Sequence, residues 1–246
     1  TYEDDLWLVP AAGGEARRIT SHPGRETAAK FSPDGTKLAF TGEYDGGSDV
    51  YVLDARGGVP RRLTFHPSGG TVLDWTHDGN AVIFSSNREA PTYSSEIYTV
   101  PVDGGMPTRL PVDRGALASM APDGSGLAYN RFGRHTRTWK RYEGGNAQDV
   151  WVLDFASGDI TQLTDWTGSD QFPMWGEGAI FYNSDREDGN LNLYRYDTAK
   201  GGAPERIDLR HVGDVASDQG GLDQTANWKH RIAIARYSAY GNLDTS

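Results

Sequence analysis

The hexapeptide Asp49-Val50-Tyr51-Val52-Leu53-Asp54 recurs along the chain in five related copies, which begin at residues 5, 49, 96, 149 and 192. Each copy opens on a polar residue, continues with an aliphatic and an aromatic residue, and closes on Pro or Asp. Aliphatic and aromatic enrichment over this length predicts a β-strand. A spacing of about 45 residues is typical of propeller blades. The hexapeptide therefore predicts a repeated unit built from strands.

Each copy lies between two hairpin signals. A Gly-rich turn and a further strand follow it, as in Gly57-Gly58 before Arg61-Arg62-Leu63-Thr64. Another turn precedes it, as in Ser32-Pro33-Asp34-Gly35, with Phe31 before the turn and Leu38 after it. Glycine permits the positive φ angles of tight turns, and Pro-Asp-Gly is a β-turn sequence. The unit is thus four strands, a to d, with the hexapeptide as strand c.

We therefore predict an all-β fold, a β-propeller of four-stranded antiparallel blades that forms a single domain over residues 1–246. The predicted blades span residues 21–64, 65–110, 111–164 and 165–208, and a fifth consists of residues 209–246 completed by residues 1–20. A truncated six-bladed ring is the alternative to five blades. An incomplete ring would expose strand edges, which promote self-association.

Composition limits the classes of partner. The chain has a net charge of -10 and no cysteine. An acidic surface argues against a nucleic-acid partner, and the lack of cysteine excludes disulfides and thiolate chemistry. No apolar run reaches the roughly 20 residues needed to cross a membrane, so we expect no membrane partner. No signal-like segment is visible after Thr1.

Histidines and carboxylates recur in the predicted loops between strand d of one blade and strand a of the next. In a propeller, such loops surround the mouth of the central channel. Imidazoles and carboxylates that converge there can bind a divalent metal ion, which would activate a water molecule. A repeated His-Pro turn without a metal is the alternative interpretation. The candidate metal ligands are His22, His66, His211, Glu26, Asp170 and Asp223.

The predicted loop 131–147 differs in composition from the rest of the chain. Residues 131–143 contain five Lys or Arg residues and one acid, interleaved with aromatic residues. This mixture suits docking on an acidic or carboxylate-bearing partner. Packing against another domain is the alternative. The candidate partner-binding residues are Arg131, Arg134, Arg137, Trp139, Lys140 and Arg141.

Several stretches resemble the amino-terminal propeller of tricorn-type proteases, within the TolB-like propeller group. They are Asp5-Leu6-Trp7-Leu8-Val9, Phe31-Ser32-Pro33-Asp34-Gly35, Arg137-Thr138-Trp139-Lys140-Arg141-Tyr142, Leu163-Thr164-Asp165 and Phe172-Pro173-Met174-Trp175. In that family the propeller is six-bladed and precedes a second propeller and the protease domains. The resemblance covers residues 5–208. It implies a cytoplasmic location and a role in gating or docking.

Two functions follow from these observations. The first is a non-catalytic, tricorn-like propeller module that acts as a channel or docking domain for peptide or protein partners. The alternative is a metal-dependent hydrolase of activated esters or phosphoesters, with its site at the channel mouth and a small-molecule ester as substrate. Only the second hypothesis requires a cofactor, which would be a divalent metal ion.

Overall fold

The computed structural model describes residues 3–10, 12–90, 94–133, 143–187 and 189–207. Across these ranges the regular secondary structure is all β, which confirms the predicted fold class, and no helix there is long and apolar enough to cross a membrane. The strands are β1 (Trp7–Leu8), β2 (Arg17–Arg18), β3 (Glu26–Phe31), β4 (Lys37–Gly42), β5 (Asp49–Asp54), β6 (Arg61–Arg62), β7 (Thr71–Trp75), β8 (Ala81–Ser86), β9 (Glu96–Pro101), β10 (Thr108–Arg109), β11 (Leu117–Met120), β12 (Gly126–Asn130), β13 (Val150–Asp154), β14 (Ile160–Gln162), β15 (Asp170–Gly176), β16 (Ala179–Glu187), β17 (Asn190–Asp197) and β18 (Glu205–Arg206).

The strands form four antiparallel four-stranded sheets, each a simple meander. Sheet 1 is β3-β4-β5-β6, sheet 2 is β7-β8-β9-β10, sheet 3 is β11-β12-β13-β14, and sheet 4 is β15-β16-β17-β18. They match the predicted a-to-d order. Strands β1 and β2 pair with each other as a separate two-stranded sheet. Residues 209–246 lie outside the described residues, so a fifth blade and ring closure stay predictions.

The chain divides into two compact units, Thr1–Leu110 and Pro111–Ser246. Unit 1 holds β1, β2 and sheets 1 and 2, whereas unit 2 holds sheets 3 and 4. In unit 2 the core includes Ala128 and Val150 from sheet 3 with Ile180 and Tyr182 from sheet 4. Each unit therefore has its own layer of apolar side chains between successive sheets.

The hexapeptide 49–54 forms β5, the third strand of sheet 1, and is buried on both faces. Val50 and Val52 pack in one cluster with side chains of sheet 2. Tyr51 and Leu53 pack in another cluster, with Leu6 beside β1. Because successive side chains of a strand point to opposite faces, a strand between two layers needs apolar residues at every position. This explains why the hexapeptide shows no polar alternation.

Trp75 is the largest side chain in the core between sheets 1 and 2. It ends β7, is 2% exposed, and packs with Val52 and Val82 in the same cluster. Its indole Nε1–H donates to the carbonyl oxygen of Lys30 across the two sheets at 2.9 Å. A buried indole N–H needs such a partner. Trp75 therefore holds sheet 2 against sheet 1 both by packing and through a directional hydrogen bond.

We expect Trp75→Ala to lower the free energy of unfolding by about 4 kcal/mol, because it removes a large buried ring and leaves a cavity. Urea denaturation followed by circular dichroism measures the change. The control is Trp7→Ala, since Trp7 is 39% exposed. It should cost less than about 1 kcal/mol. Equal losses in the two variants would contradict the role assigned to Trp75.

Candidate functional site

A polar clasp joins the third and fourth strands of sheet 1. Thr64 Oγ1 accepts a hydrogen bond from the backbone N–H of Val50 at 3.0 Å and donates to Asp49 Oδ1 at 2.7 Å. Arg62 Nη2 lies 2.6 Å from Asp49 Oδ2. The fourth strand is only two residues long, so these bonds extend its attachment beyond the β-ladder. We call this arrangement the acid–threonine clasp.

The clasp recurs, with changes, at two other places. In sheet 3, Thr164 Oγ1 accepts from Val150 N at 3.0 Å and donates to Asp149 Oδ1 at 3.4 Å. Gln162 replaces the arginine there and donates to Asp149 Oδ2 at 3.1 Å. In the β1–β2 pair the clasp consists of Asp5, Leu6, Arg18 and Thr20. The first residue of the hexapeptide is therefore a structural acid, not a surface charge.

Two of the predicted metal ligands, Glu26 and Asp170, are buried acids at the start of a first strand. Glu26 is fully buried and accepts hydrogen bonds from Thr20 Oγ1 at 2.8 Å and from the Tyr44 hydroxyl at 2.6 Å. Asp170 is also fully buried, and Arg186 Nη2 lies 2.7 Å from its Oδ2. Burial raises the pKa of both carboxyl groups. Both acids are thus held by neighbouring side chains.

The two described candidate histidines share one local role. His22 Nδ1 accepts a hydrogen bond from the backbone N–H of Gly24 at 2.9 Å. His66 Nδ1 accepts from the N–H of Ser68 at 3.1 Å. The lone pair of each Nδ1 is therefore engaged within a turn, and only Nε2 is left to bind a metal. This geometry favours the structural His-Pro turn that the sequence offered as the alternative.

The described residues contain no group of three or more His, Asp or Glu side chains suited to a metal ion. His22, His66 and Glu26 belong to unit 1, and Asp170 belongs to unit 2. His211 and Asp223 lie outside the described residues. The six-residue metal site therefore stays an untested prediction, and its described members each have a structural partner.

Arg131 is the one predicted partner-binding residue that the structure describes, because Arg134, Arg137, Trp139, Lys140 and Arg141 fall in the undescribed stretch 134–142. Its guanidinium carbon lies 4.8 Å from the centroid of the Trp151 ring. It also forms an ion pair with Asp113. Nearby in sequence, Arg114 lies over the Phe132 ring at 5.4 Å. We call Arg114, Arg131, Phe132 and Trp151, all partly exposed, the arginine–aromatic patch.

Sequence reasoning missed the second acid of unit 2, Asp149. Burial, followed by the nearby charge of Asp170, raises the pKa of Asp149 to about 6. The Asp170 carboxylate is compensated by Arg186, but Asp149 receives only the hydroxyl of Thr164 and the amide of Gln162. The signal was present in the sequence, since the fourth-strand motif Arg-x-Thr of sheet 1 becomes Gln-x-Thr in sheet 3.

The ion pair between Asp170 and Arg186 should contribute measurably to the free energy of unfolding. Arg186→Met leaves a fully buried carboxylate without its cation, so we expect the free energy of unfolding to fall by about 3 kcal/mol. Adding Asp170→Asn should recover much of that loss. The matched control is Arg206→Met in the same sheet, where the ion pair with Glu187 is half exposed. It should cost less than about 1 kcal/mol. If the double variant loses as much free energy of unfolding as the two single variants together, the two side chains do not interact, and the pairing is contradicted.

The raised pKa of Asp149 makes a pH prediction. Because the folded carboxyl titrates near 6 and its ordinary value is 3.8, the folded state binds a proton that the unfolded state releases between these values. The contribution of Asp149 to the free energy of unfolding therefore falls as pH rises from 3.8 to about 6. We expect Asp149→Asn to match the wild type at pH 4 and to be more stable by about 1 kcal/mol at pH 7, after allowance for solvent screening.

Urea denaturation at pH 4, 5, 6 and 7 measures this difference. The control is Asp159→Asn, which makes the same chemical change at an exposed position in the same unit. A constant difference between wild type and Asp149→Asn across the range would show that Asp149 does not titrate within it.

Four-stranded meanders that repeat at this spacing, with apolar layers between successive sheets, define the β-propeller class of protein. The family model that matches the chain is the tricorn protease N-terminal beta propeller domain, over residues 1–222. The chain therefore belongs to this family, as its sequence motifs indicated.

Two curated relatives are similar to the chain. It is 35% identical over 196 residues to tricorn protease homolog 1 of Streptomyces coelicolor, which covers 79% of this chain and 18% of the relative. It is 28% identical over 201 residues to the tricorn protease homolog of Saccharolobus solfataricus, over 80% of this chain and 18% of the relative. The chain thus spans less than one fifth of the length of either relative.

Solved structures support the fold. The crystal structure of the tricorn protease aligns with a TM-score of 0.67 at 23% identity, over 82% of this chain and 20% of that one. Putative TolB from Agrobacterium tumefaciens aligns with a TM-score of 0.62 at 24% identity, over 79% of this chain and 65% of that one. At these identities the likeness concerns the fold alone.

Proposed function

We propose that this chain is a non-catalytic propeller module that docks peptide or protein partners through the arginine–aromatic patch and the basic loop 131–147. The observation that carries the proposal is the patch itself: two partly exposed guanidinium groups lie over aromatic rings in a chain of net charge -10. The family relationship supports it, because the chain corresponds to the propeller of tricorn-type relatives. The partner we infer is an acidic peptide or an acidic protein surface.

The chemistry of the patch suits such a partner. A guanidinium that lies over a ring loses part of its hydration there, and its N–H groups, which point outward in the guanidinium's own plane, can still meet a carboxylate in bidentate fashion. Arginine and tryptophan are also the residues that most often dominate binding energy at protein interfaces. Asp113 holds Arg131 in place when no partner is present, and a partner carboxylate would share that guanidinium.

The test uses the purified chain and fluorescein-labelled peptides of equal length, one acidic and one basic, with binding followed by fluorescence anisotropy. We expect saturable binding of the acidic peptide, weakened by added salt. The double variant Arg114→Gln, Arg131→Gln should weaken it by about tenfold or more. Trp139→Ala extends the test to the undescribed part of the loop.

The matched control is the double variant Arg56→Gln, Arg61→Gln, which removes the same two charges from exposed positions in unit 1. It should leave the affinity within about twofold. An equal loss of affinity in the control and in the variant of the patch would show that binding depends on net charge alone. That result would contradict binding at the arginine–aromatic patch. Hydrolysis of the peptide by the chain, retained through purification and lost on mutation of a single residue, would contradict the non-catalytic assignment.

A further inference from the structure

The fourth strand is the outer edge of each four-stranded sheet in the described part of the chain. In sheet 3 this edge is β14, which is exposed at every residue and pairs with β13 in an antiparallel ladder. At one end of the ladder the carbonyl oxygen of Asp159 accepts a hydrogen bond from Asp154 N at 2.9 Å. At the other end the N–H of Leu163 donates to the carbonyl oxygen of Val150 at 2.8 Å.

The bonds of Asp159 and Leu163 decide which groups of β14 point away from the sheet. In an antiparallel ladder, hydrogen-bonded positions alternate with positions whose backbone groups face the other way. Thr161 lies midway between the two bonded residues, so it also faces β13. The N–H and C=O groups of Ile160 and Gln162 therefore point outward, into solvent. This edge can accept the backbone of a further strand.

Ile160 stands where the other sheets have proline. In all four sheets, the residue three places after this position donates its N–H to a carbonyl of the third strand, which makes the positions equivalent. The residues in sheets 1, 2 and 4 are Pro60, Pro107 and Pro204. Proline has no N–H and its ring projects from the edge, so it prevents a further strand from pairing there. Of these four sheets, only sheet 3 keeps an outward N–H at this position.

Gln162 stands where the other sheets have arginine. Each of these residues lies opposite an aromatic residue of the third strand, which is Trp151 in sheet 3. The residues in sheets 1, 2 and 4 are Arg62, Arg109 and Arg206. Charged side chains and very short length both discourage pairing at an edge. Strand β14 has no charged residue and is three residues long, whereas the other three outer strands are two residues long.

The side chains along β14 favour an apolar, β-branched neighbour. Directly opposite residues share a face of the sheet, so Ile160 and Gln162 project on the same side as Leu153 and Trp151. Ile160 is 40% exposed, and Trp151 is partly exposed. A β-branched side chain opposite Ile160 on an added strand would remove apolar surface from water.

We propose that β14 binds an extended peptide segment by β-strand addition, through the outward N–H and C=O groups of Ile160 and Gln162. The occupant we infer is a segment without proline that carries β-branched residues at alternate positions. This inference goes beyond the docking proposal, because it depends on main-chain hydrogen bonds instead of charge. Both sites belong to unit 2, so the test uses an uncharged peptide.

The test is amide hydrogen exchange of the isotopically labelled chain, followed by NMR. The probe is an acetylated heptapeptide amide of alternating valine and threonine, N-methylated at every second residue so that only one of its edges can pair. At a peptide concentration ten times the dissociation constant, we expect the amides of Ile160 and Gln162 to exchange about tenfold more slowly. The same peptide N-methylated at every residue is the control. Unchanged exchange, or equal protection by the control peptide, would overturn the proposal.

The variant Ile160→Pro gives sheet 3 the proline of the other sheets. It removes an N–H that points away from β13, so it breaks no bond of the ladder and we expect the variant to fold. Isothermal titration calorimetry should show binding of the peptide weakened by about tenfold or more, whereas Ile160→Val, which keeps the N–H, should stay within about twofold. Gln162→Arg is a second variant and should also weaken binding. Wild-type affinity in both Ile160→Pro and Gln162→Arg would contradict binding at this edge.

A further variant separates this site from the arginine–aromatic patch. The double variant Arg114→Gln, Arg131→Gln should bind the uncharged peptide within about twofold of the wild type, whether or not the acidic peptide binds at the patch. An equal loss for both peptides would contradict a separate site on β14.

A second copy of the chain is the other possible occupant of this edge. Sedimentation equilibrium over a range of protein concentrations tests it. We expect Ile160→Pro and the wild type to have the same mass at every concentration. A dimer of the wild type that Ile160→Pro abolishes would assign the edge to self-association and contradict a peptide as its occupant.

Discussion

A threonine hydroxyl has one proton to donate, and the polar structure between successive sheets follows from that constraint. At each clasp the oxygen accepts a hydrogen bond from the backbone N–H of the residue after the acid, and its own proton is left for one carboxylate. Thr64 gives it to Asp49, while Thr20 gives it to Glu26 in the next sheet. Where two acids flank one threonine, the second acid must therefore find another donor.

This requirement accounts for two side chains near the ends of second strands, Tyr44 just after β4 and Arg186 close to the end of β16. Tyr44 donates a hydrogen bond to Glu26, and Arg186 donates one to Asp170. Asp149 obtains the weakest compensation, because its threonine bond is 3.4 Å long and an amide replaces the arginine that meets Asp49. Burial and the charge of Asp170 raise the pKa of Asp149, and no arginine opposes them. The same acids and donors thus tie one sheet to the next and set where the fold is sensitive to pH.

The fold was predictable from the sequence because its determinants are local and repeated. The four inner residues of the hexapeptide are apolar or aromatic because β5 packs on both faces, and this pattern located the third strand of each of the four sheets. The turns were equally readable, because Gly57 and Gly104 adopt the positive φ angles that their hairpins require. The strand order then followed from short connections between neighbouring strands.

The candidate site was predictable only in part, for a physical reason. Counting along the first strands singled out Glu26 and Asp170 as equivalent acids. Their partners, Tyr44 and Arg186, come 18 and 16 residues later. A β-bulge in each first strand shifts the register, and Ala28 and Phe172 there take left-handed conformations with φ of 51° and 60°. No simple spacing reveals such a pair.

Comparison of the sheets with one another also shows which polar pairs the repeated unit contains. Buried polar groups must be compensated, so a repeat that is complete within one sheet defines which partner each group expects in the others. Arg186 with Asp170 is the complete form, and Arg88 beside Gly70 is the incomplete one. In sheet 2 the Phe84 ring lies where a side chain at position 70 would project, so Arg88 keeps its serine and aromatic contacts and has no acid at that position.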